Sequence, residues 1–191
     1  MVALLAPARA ALVLALLLAC CAWALALAPS AQAANACQSG SATPSSAGKA
    51  ELVRATVCLL NAERSRHGLA KLRLSAELSR IGERHAIDMA RRNYFSHNSL
   101  NGKTFADRIR GAGYLRSARR WSIGENLAWG SGARATPSSI MRAWMKSPTH
   151  RANVLRKTYV EVGIGVAFDA PVRGVTAQPA GTYASEFGAR Y

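Results

Sequence analysis

The sequence predicts an α+β fold, with helices first and an antiparallel pair of strands last. Between residues 49 and 89, apolar side chains recur every three or four positions, which is the period of amphipathic helices. Around 160–167, valine or isoleucine alternates with small or charged residues, which is the period of a strand. Residues 183–187 can form the strand that pairs with it.

The first two helices have recognisable boundaries. Gly68 can end the first helix as the glycine that follows a last turn. Ser75 can cap the second helix, since its hydroxyl can accept a hydrogen bond from the first turn. His85 falls on the apolar face of the second helix, so we interpret it as a packed core histidine rather than a site residue.

The middle of the chain is predicted to contain loops and short helices. Residues 93–103 are predicted as a loop, and Thr104 with Asp107 resembles a capping box that opens a short helix. Residues 111–132 are predicted to be turn-rich because of their glycines. Thr136, followed by proline, then indicates the start of another helix, which ends near Ser147.

The first 33 residues are interpreted as a signal peptide. An apolar run follows Arg9, and the small-x-small pattern before residue 34 predicts cleavage after Ala33, with cleavage after Ala36 as the alternative. An uncleaved membrane anchor and a lipid-modified Cys20 are further alternatives. Residues 34–48 are predicted as a flexible leader and residues 49–191 as one domain.

Export to the extracellular space, the periplasm or the cell envelope follows from that interpretation. The processed chain would be peripheral rather than transmembrane, and we expect a monomer. It would keep Cys37 and Cys58, and two cysteines in an exported chain usually pair, so we predict a disulfide between them. Two free thiols are the alternative.

The charge balance of the chain is strongly basic. It has 25 Lys and Arg against 10 Asp and Glu, a net charge of +15. This favours contact with anionic envelope components such as lipid headgroups or acidic wall polymers. We expect no nucleic-acid partner, because the chain has neither a recognition motif nor a basic run interleaved with aromatics. The tryptophans at 121, 129 and 144 are predicted to be core or cleft wall.

Two histidines and a glutamate stand out as candidate site residues. His97 lies in Tyr-Phe-Ser-His-Asn, Glu125 in Gly-Glu-Asn-Leu, and His150 in Ser-Pro-Thr-His-Arg-Ala-Asn. Two imidazoles and a carboxylate from three separate segments suit a metal site or an acid–base site. They equally suit a hydrogen-bonded cluster in which Glu125 holds three loops together.

The order of the motifs resembles that of bacterial members of the CAP superfamily. This superfamily includes cysteine-rich secretory proteins, antigen 5 and plant pathogenesis-related 1 proteins. The resemblance runs from about Glu51 to Gly188 and is carried by six segments: 60–69 (LNAERSRHGL), 96–98 (SHN), 124–128 (GENLA), 144–155 (WMKSPTHRANVL), 162–165 (VGIG) and 186–188 (EFG). It implies a three-layer α-β-α sandwich with a central antiparallel sheet.

The resemblance also implies a cleft with two histidines and two acidic residues. His97, Glu125 and His150 match three of these positions, and the fourth falls on Ser147. Some members bind a divalent metal in this cleft, which implies a metal, most suitably Zn²⁺, held here by His97, Glu125 and His150. Ser147 would line the cleft, since a hydroxyl is a poor metal ligand.

The expected function is ligand binding through this cleft by a secreted or cell-envelope CAP domain. The ligand classes open are lipid, wall polymer and protein. The alternative is a metal-assisted hydrolase of peptide or envelope polymer, in which the metal would acidify a bound water. Acid–base catalysis without metal would need Ser147, Ser96 or Ser99 as nucleophile, and nothing in the sequence around them marks one as activated.

Overall fold

The structure is a computed structural model that describes residues 37–175 and 178–191. The predicted signal peptide lies outside the described residues. Ala36–Tyr191 group into one compact unit by their own contacts. In the described part of the chain, no helix is both long enough and apolar enough to cross a membrane.

Helices and strands are interspersed along the described residues, and the last two elements are strands. In chain order they are α1 (Lys49–Arg66), β1 (Arg73–Leu74), α2 (Ala76–Arg92), α3 (Phe105–Gly111), β2 (Trp121–Ser131), α4 (Pro137–Lys146), α5 (Pro148–Val154), β3 (Glu161–Ala167) and β4 (Ala180–Arg190). Short 3-10 helices cover Gln38–Ser41 and Gly132–Ala135.

The strands form one sheet in the order β1-β3-β4-β2. β4 pairs antiparallel with both β2 and β3, whereas β1 pairs parallel with β3 over two residues. The predicted antiparallel pair of β3 and β4 is thus the centre of the sheet. β2 is an edge strand, and this position decides where the candidate site lies.

Helices cover both faces of the sheet, which gives the three layers that the resemblance implies. On one face, α1, α4 and α5 pack on side chains that include Val162, Ile164 and Phe187. On the other face, α2 packs on Leu127 and Ala184. Alternate residues of each strand point to opposite faces. The alternation read from the sequence of β3 therefore separates the two cores, and the α+β prediction is confirmed.

The glycines of β3 allow α2 to lie directly on the sheet. A Cβ at Gly165 would lie 2.0 Å from the backbone nitrogen of Glu83, and one at Gly163 would lie 2.1 Å from that of Ser79. Both distances are far inside van der Waals contact. The small residues that alternate with valine and isoleucine are therefore required by helix–sheet packing.

The helix caps predicted from the sequence are confirmed. The Ser75 side chain accepts from the backbone of Leu78, and Thr104 with Asp107 forms a complete capping box. Thr136 caps α4, with proline at its first position. Gly68 follows α1 with a φ of +66°, in the left-handed region that favours glycine.

A disulfide between Cys37 and Cys58 joins the N-terminal segment to α1, as predicted. Within the predicted flexible leader, residues 37–48 lie against the domain. Gly40 is buried in the short 3-10 helix, and Ala42 and Ala47 pack against the core. The disulfide and these contacts hold this part of the leader on the fold.

The prediction of a turn-rich segment over residues 111–132 is wrong for its second half. Residues 121–131 form the 11-residue strand β2, with Glu125 near its middle. The glycines there serve packing rather than turns. A Cβ at Gly124 would lie 2.2 Å from the Tyr159 hydroxyl, and one at Gly130 would lie 2.4 Å from the carbonyl oxygen of Arg134.

We predict that Gly165→Ala lowers the free energy of unfolding by about 3 kcal/mol, because the added methyl group must push α2 off the sheet. Gly111→Ala is the matched control, since a Cβ at Gly111 meets nothing within 4 Å. Urea denaturation of both variants measures the difference. Equal midpoints for the two variants would contradict the packing account.

Candidate functional site

Glu125 is the centre of the candidate site and is fully buried. Its Oε1 lies 2.7 Å from Nδ1 of His97, and its Oε2 accepts a hydrogen bond from Nη2 of Arg108. The Glu125 side chain is 0% exposed, whereas that of His97 is 51% exposed. The buried carboxylate therefore orients His97 from the interior of the protein, while the imidazole stays at the surface.

Arg108, in α3, joins Glu125 to the loop that carries His97. Its Nη1 donates to the carbonyl oxygen of His97 at 2.8 Å and also to the Ser99 hydroxyl and the Lys103 carbonyl, both at 3.3 Å. One guanidinium thus fixes both the buried charge and the loop above it. Arg108 is not among the site residues predicted from the sequence.

The second histidine is held from the other face of the sheet. Asn126 follows Glu125 in β2, so its side chain points the opposite way and donates to the carbonyl oxygen of His150 at 2.9 Å. Asn153, in α5, donates to Asn126 Oδ1 at 2.9 Å and to the Glu125 carbonyl at 3.1 Å. Neighbouring residues of one edge strand therefore anchor the two histidine segments.

The two histidines lie close enough to interact electrostatically. Partial burial lowers the pKa of His150, and the electrostatic influence of His97 lowers it further. Because a carboxylate only accepts hydrogen bonds, Nδ1 of His97 carries the proton that faces Glu125. Nε2 of His97 is left without a partner among the described residues, so each imidazole can offer a nitrogen to a ligand.

Opposing effects set the ionisation of Glu125. Burial alone would raise its pKa, but the hydrogen bond from His97, the charge of Arg108 and a contact with Glu186 outweigh it, so the pKa of Glu125 lies below its ordinary value. Glu125 is therefore an ionised carboxylate with no exposure to solvent.

Glu186, in β4, lies directly opposite Glu125 in the strand ladder. Its side chain is completely buried, and no donor among the described residues reaches either carboxyl oxygen. Burial and the negative charge of Glu125 raise the pKa of Glu186 well above its ordinary value. A protonated Glu186 can donate to ionised Glu125, which gives the buried Glu186 carboxyl group a partner.

Glu186 was predicted from the sequence only as part of a family motif and not as a site residue. A glutamate within the predicted terminal strand was the available signal. Its partner could not be read from the sequence, because the contact depends on the register between β2 and β4, which are far apart in the chain.

His85 is buried, as the sequence predicted, but it also borders the site. Its Nε2 lies 2.9 Å from the Ser96 carbonyl and 4.0 Å from Oε2 of Glu125. Burial lowers the pKa of His85 more than the charge of Glu125 raises it. His85 is therefore a neutral imidazole that donates from Nε2 and supports the segment just before His97.

The candidate serine nucleophiles contact no histidine nitrogen in the described residues. Ser147 separates α4 from α5, and its hydroxyl lies 3.2 Å from that of Thr149. The Ser96 hydroxyl accepts from the backbone of Asn98, and the Ser99 hydroxyl accepts from Arg108. This geometry gives no support to acid–base catalysis through an activated serine.

Only two of the three predicted metal ligands are free to bind a metal ion. Across residues 37–175 and 178–191, no group of three or more His, Cys, Asp and Glu is placed to hold a metal ion. Both oxygens of Glu125 are already engaged, one of them by a cationic guanidinium. His97 and His150 suit a metal as imidazole donors, with Glu125 as the hydrogen-bond partner that orients His97. Zinc binding stays a prediction.

Residues 57–178 match the Cysteine-rich secretory protein family, CAP. Two Bacillus subtilis proteins are similar over about half of this chain. They are the uncharacterized protein YkwD, 34% identical over 107 residues, and the uncharacterized membrane protein YlbC, 32% identical over 108 residues. The matched regions span 39% and 29% of those proteins. The chain belongs to the CAP family, as its motifs predicted.

Solved structures show the same fold. An extracellular protein containing an SCP domain from Bacillus anthracis aligns over 73% of this chain and 40% of that one, with 25% identity and a TM-score of 0.57. An outer surface protein from Borrelia burgdorferi aligns over 71% of this chain and 90% of that one, with 21% identity and the same TM-score of 0.57. These likenesses agree with the three-layer architecture.

We predict that Glu186→Gln changes how stability depends on pH. Above about pH 4.3 the unfolded chain releases the Glu186 proton while the folded protein keeps it, so this group destabilises the wild type by about 1.4 kcal/mol per pH unit until its folded pKa is reached. The glutamine amide can still donate a hydrogen bond to Glu125, but it does not titrate as the Glu186 carboxyl group does. The variant should therefore gain stability relative to wild type between pH 5 and 8, as measured by urea denaturation. If the unfolding free energies of wild type and variant change with pH in parallel, Glu186 is not held protonated in the folded protein.

Proposed function

We propose that this protein is a secreted or cell-envelope CAP domain that binds a ligand in the cleft between His97 and His150. The observation that carries this proposal is the bond between exposed His97 and fully buried, ionised Glu125. In the described contacts, the buried charge of Glu125 holds the surface imidazole of His97 in place. A fixed imidazole at the surface is suited to recognition.

Export is part of the same proposal. Its support is the predicted signal peptide, the disulfide between Cys37 and Cys58, and the likeness to proteins described as extracellular or outer surface proteins. Disulfides persist in oxidising compartments, so the pairing favours a location outside the cytoplasm. Anionic envelope components remain the proposed partners, supported by the net charge of +15.

We further propose that the cleft binds Zn²⁺ through His97 and His150. When bound, the ion would supply a Lewis acid able to polarise a ligand oxygen. Glu125 would keep the proton of His97 on Nδ1 and so leave Nε2 available. Ser147 would contribute a hydroxyl to the cleft wall. Hydrolysis of peptide or envelope polymer is the second candidate, and it rests on the same two histidines.

Calorimetric titration with Zn²⁺ tests this part of the proposal. We predict binding at micromolar affinity or tighter, lost in the His97→Ala/His150→Ala double variant. His67→Ala is the matched control, because His67 is an exposed histidine at the end of α1. Glu125→Gln should weaken binding by about 10- to 100-fold, as expected for a residue that orients a ligand. Equal zinc uptake by wild type and the double variant would exclude the site.

A further inference from the structure

One end of the sheet carries an exposed surface that the cleft does not use. The first residues of β1, β2 and β3 and the last residues of β4 meet there, because Arg73 pairs with Glu161 and Trp121 with Arg190. The apolar side chains at this end are Leu74, Trp121, Val160 and Tyr191, exposed by 48%, 48%, 38% and 59%. The basic side chains beside them are Arg119, Arg120, Arg156 and Lys157, all exposed. We call these eight residues the strand-end face.

The backbones of the two aromatic residues of the strand-end face are held by the sheet and its end. The Tyr191 carbonyl accepts a hydrogen bond from the Arg119 nitrogen at 2.8 Å, and the Tyr191 nitrogen donates to the Arg120 carbonyl at 2.9 Å. The Arg120 guanidinium lies 5.8 Å from the centre of the Tyr191 ring. Trp121, predicted to be core or cleft wall, is instead half exposed. Exposed tryptophan and tyrosine on a rigid strand end cost free energy in water unless a partner covers them.

The positive charge of the strand-end face is uncompensated. None of its four basic side chains forms an ion pair with an acidic residue in the part of the chain that the structure describes. The acidic residues nearest to it are already engaged: Glu161 bonds Arg73 at 3.2 Å and the Tyr114 hydroxyl at 2.6 Å, and Glu77 bonds Arg190 at 3.3 Å. The face therefore attracts anions.

A cavity of about 400 Å³ adjoins the strand-end face. Its lining includes Arg116, Arg190 and Tyr114, and the Arg190 guanidinium stacks 4.2 Å above the centre of the Tyr114 ring. This volume is in the range of sites that take a small molecule. Arg190 is already paired with Glu77, so Arg116 is the guanidinium that can meet a phosphate group here through paired hydrogen bonds.

We propose that the strand-end face docks the protein onto an anionic lipid bilayer. Tryptophan and tyrosine favour the interface between headgroups and acyl chains, where an apolar ring and a polar tip are both accommodated. The basic side chains would meet headgroup phosphates. A soluble polyanion would use the cations but would leave the four apolar side chains exposed, so the combination favours a bilayer. This inference does not depend on His97, Glu125 or His150.

Binding to vesicles with a matched pair of variants tests the proposal. The face variant is Arg119→Ser/Arg120→Ser/Arg156→Ser, and the control is Arg91→Ser/Arg134→Ser/Arg173→Ser. The control removes the same charge from exposed positions at the opposite end of the sheet. Wild type and variants are compared in the same processed form, by sedimentation with phosphatidylcholine vesicles that contain or lack phosphatidylglycerol.

We expect wild type to bind only the anionic vesicles. The face variant should bind them roughly a hundredfold more weakly, because each basic residue near an anionic surface strengthens binding about fivefold. The control variant should stay near wild type, since its charges lie beyond the screening distance from the membrane. Absent binding, or equal loss in the two triple variants, would overturn the proposal.

A second readout distinguishes a bilayer from a soluble polyanion. Lipids brominated near the headgroup should quench the fluorescence of Trp121, and Trp121→Phe should abolish that part of the quenching. Unquenched Trp121, together with binding to soluble polyphosphate that matches binding to vesicles, would overturn the proposal in favour of an anionic polymer.

Discussion

The ionised carboxylate of Glu125, buried in an edge strand, is the group on which the rest of the site depends. Removing a carboxylate from water costs several kcal/mol unless its partners are well placed. Arg108 and His97 occupy its two oxygens, and Arg108 also holds the backbone of the His97 loop. One buried charge therefore fixes β2, α3 and the loop between α2 and α3. Glu125 holds the His97 segment from the interior of the fold, while the His97 imidazole stays half exposed.

The edge position of β2 explains how one strand anchors two histidine segments on opposite faces of the sheet. Glu125 anchors the His97 loop on the face covered by α2, and Asn126 anchors His150 on the face covered by α5. If Glu125 and Asn126 lay in an inner strand, the neighbouring strands would separate the His97 segment from the His150 segment. Trp144, in α4, and Asn153, in α5, also donate to carbonyl groups of β2, which protects this edge from pairing with other chains.

The sequence predicted what depends on local chemistry. The caps at Ser75, Thr104 and Thr136 require neighbouring residues only. The motif order grouped Glu125 with His97, which the structure joins by a hydrogen bond, and a site shared with His150 stays a prediction. Features that depend on strand register were not predictable. Glu186 matters because it faces Glu125 across the ladder, and the glycines of β2 indicated turns although they admit Tyr159 and Arg134.

A double-mutant cycle between Arg108 and Glu125 tests the central claim most directly. Arg108→Met alone should cost about 3–5 kcal/mol of unfolding free energy, because it leaves a buried carboxylate without its guanidinium. Combining it with Glu125→Gln should recover much of that loss, which gives a coupling energy above about 2 kcal/mol. Additive losses in the double variant would contradict the claim that a buried charge pair organises the site.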